Sequence, residues 1–238
     1  MEFYPPPVKY LLTNYVRKTL HNNAGFFPLD DDAVKRFAKL MIKSMQQTDI
    51  LASWRPEELF FRKYLFKSVK VALRELDPAV GKDYAWSEML EGKDVLVVHP
   101  FAESIQRQYE VNRERLFDNH AVLPKFKSLQ TIKAVQTIAG NTMGFKSWFD
   151  ALEYMEKEIS SRNFDIALIG CGAYGFPLAA YVKSIGKKAV HIGGALQLYF
   201  GIKGKRWDNR NMYNEYWISP SVDEKPTNLE KVENGCYW

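Results

Sequence analysis

Short apolar runs alternate with longer amphipathic segments through the second half of the chain. The clearest run is DVLVVH, at Asp94–His99, and a second occupies residues 164–169. Apolar runs of this length without alternation are typical of strands that a parallel sheet buries on both faces. Residues 129–137 and 188–192 add two further strand-like segments. The pattern predicts an α/β fold with an open, mostly parallel Rossmann-like sheet of at least four strands.

Segments with a helical period lie between and before these strands. Residues 33–46, 102–117, 145–161 and 176–185 are predicted to be helices, and residues 195–201 a short one. In the first and third of these, apolar side chains recur three or four positions apart and would form one buried face. The sheet is therefore expected to carry flanking helices.

The first 90 residues are predicted to be a mostly helical part that covers the carboxyl edge of the sheet. This part would contain a helix at 8–19, a loop at 21–28, a short strand at 50–53 and a helix that begins near Arg55. The Rossmann-like core would span residues 91–207. Residues 208–238 have few apolar runs and would wrap its surface. The prediction is one domain in these three parts.

Composition and charge narrow the classes of function. The chain has 238 residues, of which 46% are hydrophobic and 26% charged, as in ordinary globular proteins. The formal net charge is +5, and the basic residues are scattered, which argues against a nucleic-acid-binding tail. A modest positive excess suits a phosphorylated or nucleotide-linked substrate, or peripheral association with an anionic membrane surface.

The two cysteines, Cys171 and Cys236, form neither a metal-binding spacing nor a disulfide framework. The N-terminus lacks the apolar core of a signal peptide, and no apolar run approaches about 18 residues. These features predict a protein of a reducing, cytoplasmic compartment.

A glycine-rich turn follows the strand at 164–169. Gly170, Gly172 and Gly175 have the spacing Gly-x-Gly-x-x-Gly between a strand and a helix, with Tyr174 inside the same turn. This spacing usually places a phosphate or nucleotide at a helix N-terminus. A dinucleotide-binding site would also need an acidic residue about 20 positions later, where this chain has His191. A dehydrogenase is therefore disfavoured, while an S-adenosylmethionine-dependent methyltransferase stays open.

Four loops at predicted strand ends, residues 99–103, 137–142, 170–175 and 191–194, should face one crevice. The loops carry titratable side chains, and we take His99, Glu103 and His191 as candidate catalytic residues. Histidine has an ordinary pKa near 6.5, which suits acid–base work. Glu103 could instead cap the helix that follows it.

A glycine turn and a basic turn follow the last predicted strand. Gly193 and Gly194 would contact a donor, and Lys203, Lys205 and Arg206 could neutralise a departing diphosphate. A solvated basic turn is the alternative interpretation.

The run LIGCGAYGFPLAAYVKSIGKKAVHIGGALQLYFGIKGKRWD, with HPFAESIQRQY before it and ENGCYW at the end, resembles the GT-D fold glycosyltransferases and related proteins of polysaccharide gene clusters. The N-terminal arrangement NNAGFFP followed by an acidic helix start is similar too. The resemblance implies a GT-D-like fold. It also implies transfer of a sugar from a nucleotide-sugar donor to a glycan or lipid-linked acceptor in surface polysaccharide assembly.

One part of the family pattern is missing. GT-D enzymes hold a divalent metal with an N-terminal Asp-x-Glu, and the comparable loop here, around Asn22, Asn23 and Gly25, has no carboxylate. We take these three residues as candidate donor contacts. If Mn²⁺ or Mg²⁺ is used, other acids must hold it, because both prefer oxygen ligands. The weak candidates are Asp30, Asp32, Glu57 and Glu58. A metal-independent enzyme and a non-catalytic nucleotide- or glycan-binding accessory protein are the alternatives.

Overall fold

A computed structural model describes residues 14–78, 84–227 and 229–238 of the chain. Its centre is a four-stranded sheet of β3 (Asp94–His99), β4 (Ser128–Lys133), β5 (Ile166–Ile169) and β6 (Lys188–His191). The order is β4-β3-β5-β6, and all three pairings are parallel. The predicted open parallel α/β sheet is therefore confirmed, with strands slightly shorter than predicted.

The sheet separates two hydrophobic cores. Along β3, Leu96 and Val98 enter one core, and Val95 and Val97 enter the other. Successive strand side chains point to opposite faces, so a strand covered on both faces must be apolar at every position. This burial explains the unbroken DVLVVH run.

The helices cover both faces of the sheet. They are α1 (Asn14–Ala24), α2 (Asp31–Met45), α3 (Ala102–Asn112), α4 (Trp148–Ser160), α5 (Gly175–Ser184) and α6 (Leu196–Tyr199). The first core contains buried residues of α2, α4 and α5, and the second contains those of α3 and α6. The predicted helix at 145–161 begins late, because the Ser147 hydroxyl accepts a hydrogen bond from the Asp150 amide and caps it.

The N-terminal prediction needs two corrections. The first concerns α1, which continues through Ala24 into the segment 21–28 that we predicted to be a loop. Gly25, with φ of +64°, ends the helix, as glycine commonly does in the left-handed conformation. The part of the predicted helix 8–19 before Asn14 lies outside the described residues.

The second correction concerns the helix predicted to begin near Arg55. The chain forms a short 3₁₀ helix at Pro56–Phe61 and then β2 (Val69–Ala72), which pairs in parallel with β1 (Ile50–Ser53). The predicted strand at β1 is confirmed, but β2 was missed. The β-branched residues Val69 and Val71 favour a strand over a continued helix.

The residues from 208 onward form turns and short 3₁₀ helices. Trp217 and Val232 are buried in this tail, and its last residues return to the carboxyl edge of the sheet. The described residues contain no helix that is both long and apolar enough to cross a lipid bilayer.

Candidate functional site

The strand order reverses between β3 and β5. From β3 the chain moves outward to β4, then returns to β5 on the other side of β3. In open α/β sheets, ligands bind at such a switch point, beyond the carboxyl ends of the strands. A cavity of about 160 Å³ lies there, lined by residues 99–101, 135–138 and 170–174. Three of the four predicted loops therefore contribute continuous stretches to it.

The remaining lining comes from distant parts of the chain. Asn23 and Ala24 belong to the end of α1, Gly194 and Gln197 follow β6, and Val232, Glu233, Tyr237 and Trp238 belong to the tail. Of the three predicted N-terminal donor contacts, Asn23 lines the same cavity as the glycine-rich turn, while Asn22 and Gly25 do not. Gly25 packs against the loop at Thr137, where a Cβ would lie 2.5 Å from the threonine Oγ1. Asn22 lies just outside the cavity and donates to the carbonyl oxygen of Lys231 at 2.7 Å.

The three glycines of the turn have different roles. A Cβ on Gly170 would lie 2.6 Å from both the Gly193 oxygen and the His99 ring, and one on Gly175 would lie 2.3 Å from the His191 ring. These two glycines allow close packing. Gly172 has φ of +56° and open space where a Cβ would be. Gly170 and Gly172 both line the cavity, and of these two only Gly172 has open space at the Cβ position.

The N-terminal end of α5 has no protein cap. No described side chain caps this end or the short 3₁₀ turn Gly172–Tyr174 that precedes it. The amides of Gly172 and Ala173 donate no hydrogen bond to the described residues. Unpaired amides and the helix dipole together attract an acceptor or an anion.

The N-terminal end of α3 is occupied by a residue that sequence reasoning missed. The buried Glu224 carboxylate accepts from the amides of Glu103 at 2.9 Å and Ser104 at 3.0 Å, and from the Ser104 hydroxyl. Glu103 itself points outward, with its side chain 70% exposed and 3.4 Å from Lys133. The structure therefore gives no support to Glu103 as a catalytic base, since it lies outside the cavity.

His99 lines the cavity but has no free lone pair for a base. Its Nδ1 accepts from the Phe101 amide at 3.0 Å, so the neutral ring carries its proton on Nε2. Complete burial lowers the pKa of His99 to about 3. The ring therefore stays neutral near pH 7 and can serve as a hydrogen-bond donor, in place of the predicted acid–base role.

His191 has the opposite tautomer and lies behind the turn. Its Nδ1 donates to the Ile169 oxygen at 3.2 Å, since a carbonyl oxygen can only accept. Burial lowers the pKa of His191, and the residue does not line the cavity. It packs beneath Gly175, so the geometry does not support a direct catalytic role.

Tyr174 and Cys171 line the cavity as neutral groups. The Tyr174 ring stacks on Trp148 at 4.5 Å, and its hydroxyl hydrogen-bonds Thr137 at 2.7 Å. Burial raises the pKa of both the Tyr174 phenol and the Cys171 thiol. Cys171 is thus a small neutral residue in the turn, not an activated nucleophile.

Gln197 and Trp238 each have a buried polar side-chain atom with no hydrogen-bond partner among the described residues. The Gln197 amide nitrogen donates to the oxygens of Lys203 at 2.9 Å and Tyr237 at 3.0 Å, which fixes the amide orientation. Its Oε1 is left as a free acceptor, and the Trp238 Nε1 as a free donor. Unpaired buried polar atoms are rare. For Gln197 the sequence contained a signal, because it is the single amide side chain inside the apolar run ALQLYFG.

The basic turn does not reach the cavity. Arg206 donates to Glu233 at 3.2 Å and to the Tyr237 hydroxyl at 2.7 Å, and the Lys203 ammonium lies over the Tyr213 ring. Neither they nor Lys205 contribute to the lining, and nor does Gly193. Glu233 is the one acidic or basic residue among the described lining residues, apart from the neutral His99. The three basic residues of the turn are therefore not positioned to neutralise a diphosphate bound in this cavity, contrary to our prediction.

The four candidate metal ligands have separate local roles. Asp30 caps α2 through the Ala33 amide, and Asp32 pairs with Lys35. Glu57 pairs with Arg55, and Glu58 accepts from the amides of Trp54 and Arg55. Across the described ranges, no three histidine, cysteine or acidic residues come together as a metal site would require. The residues present do not fit the divalent metal that the GT-D pattern implies.

Comparison with models of protein families, with curated proteins and with solved structures found no match.

Proposed function

We propose that the chain is a nucleotide-sugar-dependent glycosyltransferase of the GT-D kind that acts on a glycan or lipid-linked acceptor in surface polysaccharide assembly. One observation carries the proposal. The segment that contains Asn23 and Ala24 and the glycine turn at Gly172 are almost 150 residues apart, yet they line one cavity at the switch point. The resemblance to GT-D enzymes joins the same two segments.

The cavity suggests how a donor would be held. Its diphosphate would accept from the amides of Gly172 and Ala173 at the N-terminal end of α5. Neutral polar groups of the donor would meet the Gln197 Oε1 and Trp238 Nε1 atoms, which have no partner in the part of the chain that the structure describes. His99 would donate from Nε2 and, because it stays neutral, would not compete for the proton of the acceptor.

In this proposal the base is Glu233, the carboxylate that lines the cavity. The acceptor hydroxyl would give its proton to Glu233 while its oxygen bonds to the anomeric carbon. The bond from that carbon to the diphosphate oxygen would break, and the nucleoside diphosphate would leave with the electron pair. The amides of the turn would stabilise the departing charge.

Thermal-shift screening against a panel of nucleotide-sugars and nucleoside diphosphates tests donor binding. We expect one nucleotide class to raise the melting temperature, and transfer or slow hydrolysis of that donor to be lost in Glu233→Gln. Failure of the whole panel to stabilise the chain would contradict the proposal. Assays with and without Mn²⁺ or Mg²⁺ then determine whether a metal takes part.

Two alternatives keep specific support. The lining has a carboxylate and, among described residues, no lysine or arginine. This charge suits the sulfonium of S-adenosylmethionine better than a diphosphate, so calorimetric binding of that donor would favour a methyltransferase. The missing Asp-x-Glu favours a non-catalytic accessory protein. A nucleotide-sugar that binds but is never transferred or hydrolysed would support that reading.

A further inference from the structure

Residues 50–74 line no part of the described cavity and carry many exposed apolar side chains. We call the exposed surface of this segment the basic aromatic face. Large apolar side chains are usually buried on folding, but seven in this segment are exposed to solvent. They are Ile50, Trp54, Leu59, Phe60, Phe66, Val69 and Leu73. Contiguous exposed apolar surface commonly marks a site of interaction.

The small sheet of β1 and β2 organises part of this face. Ile50 pairs with Val69 and Ala52 pairs with Val71, so these four side chains lie on one side of the sheet. Ile50 is 65% exposed and Val69 63% exposed. Parallel sheets are normally covered on both faces, and this one presents an apolar side to the outside. An exposed apolar sheet face of this kind is typical of a surface that binds a membrane or another molecule.

Charge indicates what covers it. Residues 50–74 contain six lysines and arginines and two glutamates, an excess of four out of a net +5 for the whole chain. Glu57 is paired with Arg55, while the ammonium groups of Lys63 and Lys67 lie over the rings of Tyr64 and Phe66. A second copy of the chain would bring the same excess and be repelled. A negatively charged surface would be attracted.

The face is fixed to the core at both ends. Lys183, in α5, bonds the Asp49 carboxylate at 2.7 Å just before β1. The Tyr199 hydroxyl donates to the Leu76 oxygen at 3.0 Å just after the segment, and Leu65 is buried in its middle. The exposed rings can therefore change without removing the contacts that hold the segment.

We propose that the basic aromatic face binds an anionic lipid bilayer. Trp54, Phe60 and Phe66 would enter the boundary between headgroups and acyl chains, while Lys63 and Lys67 stay at the level of the lipid phosphates. This inference goes beyond the proposed function and does not depend on it, because binding to lipid requires no donor.

Vesicle flotation tests the inference. Wild-type protein should float with phosphatidylcholine vesicles that contain about a quarter phosphatidylglycerol, and binding should weaken at high salt. Phe60→Ser with Phe66→Ser should weaken binding roughly tenfold or more, as should Lys63→Gln with Lys67→Gln. The matched control is Val111→Ser on α3, also exposed at 62%, which should leave flotation unchanged.

Three results would overturn the inference. They are absence of wild-type flotation, flotation of either double variant at the wild-type level, or a loss in the Val111→Ser control as large as that in the double variants. Light scattering adds a fourth: a dimer that Phe66→Ser dissociates would assign the face to a second copy. Sugar transfer is not read in these assays, so failure here leaves the proposed function intact.

Discussion

Two strand–turn–helix units of one sheet end differently at their helix N-termini. The units β3–α3 and β5–α5 are neighbours, run in the same direction and begin their helices at the same edge. The α3 end is filled by the Glu224 carboxylate, which comes from a residue about 120 positions later. The α5 end and the 3₁₀ turn Gly172–Tyr174 that leads into it receive no capping side chain from the described residues.

The difference shows how the chain distinguishes a structural helix end from one free for a ligand. Both ends have amides that need acceptors, and the tail supplies one acceptor and leaves the other end facing the cavity. A glutamate at α3 also prevents a free anion from binding there. The glycine-rich turn keeps its amides accessible because Gly172 has no side chain to cover them.

Removing the internal carboxylate should produce the largest effect. Glu224→Ala leaves the buried amides of Glu103 and Ser104 without an acceptor, and we expect it to lower the free energy of unfolding by about 3 kcal/mol. Urea denaturation measures it, with the exposed neighbour Asp223→Ala as the control. If both variants lower the free energy of unfolding equally, the hydrogen bonds of Glu224 to α3 do not contribute specifically to stability.

Acid should destabilise the chain through its buried histidines. The pKa of His99 is about 3 in the folded chain and near 6.5 when unfolded, so the unfolded state binds more protons between these values. Stability is therefore lost as pH falls below about 6.5, by about 2 kcal/mol from His99 at about pH 5. The lowered pKa of His191 acts in the same direction.

Denaturation at neutral and acidic pH checks this dependence. His99→Asn keeps an acceptor for the Phe101 amide but does not titrate, so its stability should fall less on acidification. The exposed His120→Asn serves as the control. An unchanged pH slope in His99→Asn would contradict the assigned burial of a neutral ring.

A carboxylate introduced at Gly172 should occupy the uncapped amides before α5, as Glu224 occupies those of α3. Gly172→Asp should weaken nucleotide binding by about tenfold or more, because the new charge occupies and repels the anion position. Gly186→Asp is the matched control, since Gly186 also has a positive φ and open space around its Cβ. Both should cost about 1 kcal/mol of stability, and only the first should affect calorimetric nucleotide binding.

Trp238→Phe should give the smallest effect. It removes the indole Nε1 donor and keeps an aromatic ring, so donor affinity should fall about threefold. The exposed Trp54→Phe should leave the affinity unchanged. Equal affinities for wild type and Trp238→Phe, measured by calorimetry, would mean that this atom does not contact the donor.

The parallel sheet could be predicted from sequence because its signals are local. The DVLVVH run and the glycine-rich turn each record a physical requirement, burial on both faces or a backbone without a Cβ. The same signals located the edge at which the cavity lies. They failed for β2, where a strand on a small exposed sheet has no buried face to impose a period.

The sequence by itself determined the four strands of the central sheet, their parallel arrangement and the glycine turn, since each has a signal within a few neighbouring residues. Tertiary structure alone decided which polar groups are free. Glu224 reaches α3 from the tail, Gln197 is oriented by the oxygens of Lys203 and Tyr237, and Arg206 pairs with Glu233. These contacts join distant positions, so no local pattern records them. The basic turn expected at the site lies outside the cavity, whose described lining has one carboxylate, that of Glu233.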